Sequence, residues 1–354
     1  MDFLYTSKPL WYNKYKSVCE RNAFMALIKL GIIGSNFVTD WLCESVLKTD
    51  GITLHAMYSR SQARGDEFVQ KYGIQRVFTD LDAFLSSDID AVYIASPNFL
   101  HADQAIKAME NGKHVLVEKP AALSKDEFDL MTACARKNGV VLLEAMRPVH
   151  DEALDIIRNS LSSIGPVRRA VFEFCQYSSR YDAFRSGEIM NAFNPALGNA
   201  AVMDIGVYAI AVCIALFGMP NHITSRSVKL NNGFEGMGTA LLDYDAHQAE
   251  IVYSKITDSV NPSVITGEDG SLKIGKLSTL DSLEKCIRKK PGEIIFSGRE
   301  TPGAGNMIYE VGNFVDMIDG KTSALPYQNM TRDTLCVIDE IRRQNGIEFP
   351  CENP

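Results

Sequence analysis

The chain lacks paired cysteines. Its eight cysteines stand at positions 19, 43, 134, 175, 213, 286, 336 and 351, with no C-x-x-C pair and no histidine at metal-ligand spacing. That argues against a disulfide framework and against a metal site, and the thiols read as the reduced cysteines of a cytoplasmic protein. There is also no Lys/Arg cluster with interleaved aromatics to offset a formal net charge of -8, so nucleic acid is a poor partner. Proline is sparse at 13 residues against 46% hydrophobic residues, which excludes a disordered or fibrous chain. The longest apolar stretch, Ala200 to Met219, carries Asp204 and several glycines, and reads as a buried helix rather than a membrane span. The first 24 residues have neither the apolar core of a secretory signal nor a strand or helix period. They read as a disordered leader, with the folded chain starting at Met25.

What is present is a chain of 354 residues, longer than one hydrophobic core usually supports, so two domains are expected. From residue 25 to 147, short apolar runs alternate with amphipathic segments. "LIKLGIIG", "ITLHAMYS", "AVYIASPN", "KHVLVEKP" and "VVLLEA" read as strands. Between them "FVTDWLCESVLK", "SQARGDEFVQKYG", "ADQAIKAMENG" and "SKDEFDLMTACARKNG" read as helices, the second closed by Gly73 and the last capped by Ser124. Strands that are apolar throughout are covered on both faces, which predicts a doubly wound parallel sheet of the Rossmann kind. Ligands of such sheets sit beyond the carboxyl ends of the strands. Lys119 stands just past one of those ends, where a ligand or open solvent would meet it.

The first turn, "GIIGSNFVTD", meets only part of the G-x-G-x-x-G pattern that lets a backbone approach a pyrophosphate. Gly31 and Gly34 are present, while Asn36 and Thr39 stand at the second and third fingerprint positions. Asn tolerates positive φ, and Ser35, Asn36 and Phe37 at the helix start remain candidates for holding phosphate. At the end of the second strand no acid is available for the 2′-hydroxyl of NAD. Ser59 and Arg60 stand there instead, and a guanidinium beside a hydroxyl suits a 2′-phosphate. NADP is favoured over NAD, which stays open.

The segment "VYIASPNFLHADQAIKAMENGKHVLVEKPAALS" (92–124) resembles the Gfo/Idh/MocA oxidoreductases, with their S/T-P-N-x-x-H turn and G-K-H-V-x-x-E-K-P strand. A weaker resemblance runs from about residue 27 to 348 and includes "GNAAVMDIGVYAI" and "YEVGNFVDMIDGK". The chain is most similar to the branch with dimeric dihydrodiol dehydrogenase and NADP-dependent sugar dehydrogenases. The resemblance implies that Lys119 reaches both the nicotinamide ribose and the substrate hydroxyl. It implies that Ser96, Pro97, Asn98 and His101 line the cofactor, and that Glu118 is the acid beside the lysine. Asp204 matches the family's D-x-G-x-H segment; four residues on, where many members have histidine, this chain has Tyr208, as members like dihydrodiol dehydrogenase do.

Alcohol oxidation needs a base for the hydroxyl proton while the cofactor takes the hydride. Free lysine and tyrosine titrate near 10.4 and about 10, so either needs its pKa lowered to act near neutrality. The expected arrangement has Tyr208 exchange the proton, Lys119 polarise the substrate oxygen and Asp204 orient one of them, with the roles of lysine and tyrosine open to exchange. From residue 148 to 354 the pattern turns to alternating strands, with hairpins at Tyr244 to His247 and within "ITGEDGSLKIG". That predicts a C-terminal α+β domain with a large, mainly antiparallel sheet. By the family resemblance its open face is a dimer interface. Residues 177–199 resemble no regular element and are expected to form a loop over the site, with Tyr181, Arg185 and Asn194, together with Arg147, as substrate contacts. Glu144, Arg147 and His150 read as an interdomain hydrogen-bond cluster rather than a metal site. Two functions remain: an NADP-dependent dehydrogenase of a sugar, polyol or dihydrodiol, or a non-catalytic cofactor-binding sensor on the same scaffold.

Overall fold

The computed structural model describes residues 27–298 and 305–352; the expected leader lies outside them. The first half builds six strands: β1 (Ile28–Ile33), β2 (Ile52–Tyr58), β3 (Arg76–Phe78), β4 (Ala91–Ile94), β5 (His114–Glu118) and β6 (Leu142–Ala145). They lie in the order β3-β2-β1-β4-β5-β6, every pairing parallel. Helices α1 (Phe37–Val46), α2 (Gln62–Tyr72), α3 (Leu81–Leu85), α4 (His101–Glu110) and α5 (Lys125–Asn138) supply the crossovers. β4 and β6 are buried at every residue, as strands covered on both faces must be. The ends fall where local chemistry puts them: Ser61 and Ser124 cap α2 and α5, and Gly73 closes α2 in the left-handed region. Two elements had no readable signal. β3 is a three-residue edge strand with no buried side chain, and α3 is barely more than one turn.

The strand order reverses between β1 and β4, which opens a crevice at their carboxyl ends. Gly34 forms its floor with φ +111°, and a Cβ added there would sit 2.5 Å from the Ala95 carbonyl oxygen. Two independent constraints, backbone conformation and contact, therefore exclude a side chain.

The short helices α6 (Arg147–His150) and α7 (Glu152–Ser160) lead into the second half. Its strands are β7 (Val167–Cys175), β8 (His222–Lys229), β9 (Glu235–Asp243), β10 (Gln248–Ser254), β11 (Ser263–Gly267), β12 (Gly270–Ile274), β13 (Ser282–Ile287) and β14 (Glu293–Ser297). They pair as β14-β13-β12-β11-β7-β10-β9-β8, antiparallel except for the parallel pair β7/β10. Burial alternates along β9, the mark of a sheet with one covered face. Residues 177–199 are not the irregular loop expected: a short helix α8 (Tyr181–Arg185) and two 3-10 turns organise them. The stretch from Ala200 on becomes a π-helical turn (Val202–Gly206) followed by α9 (Val207–Phe217), an apolar helix buried along most of its length. Among the described residues no helix is long and apolar enough to cross a membrane.

The last two helices join the halves. α10 (Met307–Ile318) packs back on α1 and α6, whereas α11 (Leu325–Asn345) packs on α5, α9, β6 and β8. α11 starts earlier than the sequence pattern suggests, because Pro326 fits the first turn of a helix.

Gly34→Ala is expected to destabilise the chain by about 1–3 kcal/mol through the forced left-handed conformation alone, read as a lower urea midpoint. Ser35→Ala beside it is expected to stay within about 0.5 kcal/mol of the parent.

Candidate functional site

Lys119 is the first residue after β5, and several bonds fix the backbone around it. The Glu118 carboxylate accepts from the Lys119 amide at 3.2 Å, and the Ala121 amide donates to Glu144 Oε1 at 2.8 Å. The buried His101 ring sits between two carbonyl oxygens, Ser96 and Pro120, each 2.8 Å from a ring nitrogen. Burial holds its pKa below the ordinary value, so the neutral ring donates to one of them. His101 thus ties the turn after β4 to the turn that carries Lys119.

From that position the lysine crosses to the second half of the chain. Nζ donates to Asp204 Oδ1 at 2.9 Å and to the Asp204 carbonyl at 2.8 Å, and it lies 4.9 Å from the centre of the Tyr208 ring. Asp204 is on the π-helical turn and Tyr208 opens α9, so the two stand four residues apart at the start of one helical stretch. Arg147 completes the group: its guanidinium lies 5.5 Å from the Trp41 ring, and its charge is coupled to Tyr208 and Glu310. The fold gathers Lys119, Asp204 and Tyr208, with Arg147 beside them, at the carboxyl edge of the first sheet.

The electrostatics differ from the expectation that lysine needs a lowered pKa. Burial alone would depress it, but the Asp204 carboxylate and Tyr208 outweigh that and raise it, so Lys119 is held as an ammonium. Burial likewise opposes ionisation of Asp204, yet the two lysine charges beside it keep its carboxyl far below the usual range. The second of those charges is Lys255, whose Nζ is 2.7 Å from Asp204 Oδ2. No motif marked Lys255; its only signal was a charge directly after the strand-like run "AEIVYS".

Other expected residues make bonds within the protein. Asn36 has φ -101°, not a positive value, and its Oδ1 caps α1 by accepting from the Val38 and Thr39 amides. Asn36 Nδ2 donates to the Ala95 carbonyl at 3.2 Å, so the missing second glycine is replaced by a side chain that braces the turn. Asn98 donates to the Gly198 carbonyl and to Asn199 Oδ1, and Ser96 donates to Gln104. Glu118 is buried and accepts from the Tyr93 hydroxyl at 2.6 Å. What these three side chains do is hold the cleft's walls. At the end of β2, Ser59 folds back on Ser61, while Arg60 is exposed. Arg185 is exposed and turned to Asp182 and Tyr177, and Asn194 caps its own turn; neither is aimed at Lys119. Tyr181 stacks with Phe184 and Phe193 in an aromatic wall.

The crevice has the backbone features of a dinucleotide site: Gly34 lets the turn pack directly on Ala95, where a Cβ would clash, and α1 starts beside it with an exposed Phe37. Arg180, from the second half, lies 5.7 Å from the Phe37 ring, which brings a cation to the same helix end. Among the described residues no group of His, Cys, Asp and Glu is arranged to hold a metal ion. Glu144 bonds Ala121 and Thr331, and His150 bonds Asn313 and stacks on Tyr327, so these residues do join separate elements.

Residues 28–146 match the family model described as "Oxidoreductase family, NAD-binding Rossmann fold", that of Gfo/Idh/MocA. Over 331 residues the chain is 41% identical to scyllo-inositol 2-dehydrogenase (NADP(+)) of Bacillus subtilis, covering 92% of this chain and 99% of that one. The chain belongs to the Gfo/Idh/MocA oxidoreductase family. Trans-1,2-dihydrobenzene-1,2-diol dehydrogenase of Mus musculus is 24% identical over 338 residues, covering 92% and 97% of the two chains. For the fold itself, the 3-ketoreductase KijD10 of Actinomadura kijaniata, solved with NADP and TDP-benzene, superposes with a TM-score of 0.81. That pair shares 20% identity and covers 90% of this chain and 98% of the other. The Gfo/Idh/MocA assignment makes the chain an oxidoreductase with a nicotinamide-dinucleotide-binding Rossmann domain, which agrees with the crevice at Gly34.

Behind Lys119 lie three buried carboxyl groups, Glu118, Glu144 and Glu310, each with its pKa raised, burial being the largest cause. Glu144 rises from 4.5 to about 7. Below 4.5 it is protonated in folded and unfolded chains alike; above that the unfolded chain ionises first, so its contribution to stability falls as pH rises to about 7. Glu144→Gln is therefore expected to flatten the decline of the urea midpoint across that interval, and an unchanged slope would contradict the assignment.

Proposed function

We propose that the chain is an NADP-dependent dehydrogenase that oxidises a ring or chain hydroxyl of a polyol or sugar, with inositols the first substrates to try. The observation that carries this reading is the cluster itself. An ammonium held by Asp204 (2.9 Å), beside a tyrosine (4.9 Å to the ring), faces the carboxyl edge of a dinucleotide-binding sheet. The names of the relatives, an NADP-dependent inositol dehydrogenase above all, support the substrate class and the cofactor.

Residues 25–147 would bind the cofactor, with Gly34, Ser35, Asn36 and Phe37 at the pyrophosphate, Ser59 and Arg60 at the adenosine ribose phosphate, and the 96–101 turn, Glu118 and Lys119 toward the nicotinamide. Residues 148–354 would bind substrate and a second copy of the chain. When bound, the nicotinamide supplies the hydride acceptor. Lys119, kept protonated by Asp204, donates a hydrogen bond to the reacting oxygen and stabilises its developing negative charge. Tyr208 exchanges the hydroxyl proton, with the charge of Arg147 nearby. The raised pKa of Lys119 speaks against the reverse assignment, because a lysine held as ammonium has no lone pair to accept the proton. Tyr181 and its aromatic neighbours would form the apolar side of the substrate pocket. The seven cysteines of the described residues are all free, which suits a reducing cytoplasm, and the open face of the second sheet suits a homodimer.

The deciding assay follows NADPH formation with inositols, aldoses and dihydrodiols. Turnover of at least one is expected, and Lys119→Met is expected to lower kcat by about 10²-fold or more with NADP binding retained. Tight NADP binding with no turnover of any compound would favour the sensor. Arg60→Ala is expected to weaken NADP relative to NAD.

A further inference from the structure

Lys255 directly follows β10 and is only 4% exposed. Its amine donates to the Ala192 carbonyl at 2.8 Å, pairs with Asp204 Oδ2 at 2.7 Å, and lies 5.0 and 5.3 Å from the rings of Phe193 and Phe234. A buried ammonium carries a desolvation penalty, and against two phenylalanine rings an apolar side chain would fill the same space without it. The cation has therefore to be explained by what it bonds. One contact is the carboxylate that holds Lys119; the other is the backbone of the 177–199 segment, which the Ser178 amide also ties to the Lys255 carbonyl at 2.9 Å.

We infer that Lys255 is a positioning residue of the reaction centre, clamping Asp204 from the side opposite Lys119 and coupling it to the 177–199 segment. This rests on the reading of Lys119, Asp204 and Tyr208 given above. With both oxygens of Asp204 held, Oδ1 stays in place for Lys119, and the single negative charge is shared between two ammonium groups. Lys119 is then not fully neutralised and keeps a positive charge to offer the substrate oxygen. Removing the charge of Lys255 leaves Asp204 to Lys119 alone, which weakens that donation. Because Ala192 and Phe193 belong to the same segment as Tyr181, a substrate that settles this segment also settles Asp204.

The test compares wild type, Lys255→Gln, Asp204→Asn and the double variant in the NADPH assay, together with NADP affinity. Glutamine can still donate to Ala192 and Asp204 but carries no charge. The expected result is a fall in kcat of about 10-fold or more for Lys255→Gln with NADP affinity within about twofold, and little further loss when it is added to Asp204→Asn. Wild-type kcat in Lys255→Gln, or a full additive loss in the Asp204→Asn background, overturns the inference. If Lys255→Gln does not fold, Lys255→Arg decides. Activity within about fivefold of wild type supports the role of charge, and a loss as deep as that of Asp204→Asn overturns it. A wild-type chain that turns over nothing overturns the proposed function and this inference with it, whereas turnover unaffected by Lys255→Gln overturns this inference alone.

Discussion

One carboxylate between two ammonium groups joins the two halves of this protein. Asp204 takes Lys119 on one oxygen and Lys255 on the other, at 2.9 and 2.7 Å, and each lysine comes from the end of a strand in a different sheet. An isolated buried charge would be prohibitively costly, and so would either lysine alone with no partner. Together the three leave one net positive charge at the mouth of the crevice. The relative placement of the sheets therefore bears directly on the chemistry, because a shift between them would separate Lys119 from Asp204.

The surroundings keep that charge legible to a substrate. Glu118, Glu144 and Glu310 are buried close behind Lys119, and as fully ionised groups they would cancel it. Burial instead favours their protonated forms, and both oxygens of Glu310 lack hydrogen-bond partners among the described residues. Asp204 differs from them in having cations at bonding distance and in being partly exposed. The four acids thus fall into two classes, set by neighbours and exposure rather than by residue type.

The cofactor side follows another logic. The glycine turn is incomplete by motif, yet the position that most needs glycine has one: Gly34 is where backbone conformation and the Ala95 contact coincide. At the next fingerprint position the chain uses a side chain, with Asn36 capping α1 and bracing Ala95. Binding capacity is thus carried by backbone and helix end, which a glycine pattern reports only in part.

From the residues alone, the parallel character of the first sheet, four of its helices with Gly73 and Ser124 at their ends, two hairpins of the second sheet and the place of Lys119 at a strand's end were legible. Each depends on periodicity or on a capping residue within a dozen positions, and so is written locally. The tertiary structure decided the rest. β3 and α8 are too short for a period to develop, and their form comes from the elements they lie against. Asn98, His101 and Glu118 were read as lining the cofactor; the structure adds that their side chains also bond Asn199, Pro120 and Tyr93. Lys255 had no motif, because its meaning lies in Asp204 and Ala192, which belong to other elements and reach it only when the second sheet closes on the π-helical turn. A local pattern can put a charge at the end of a strand; only packing brings the opposite charge to meet it.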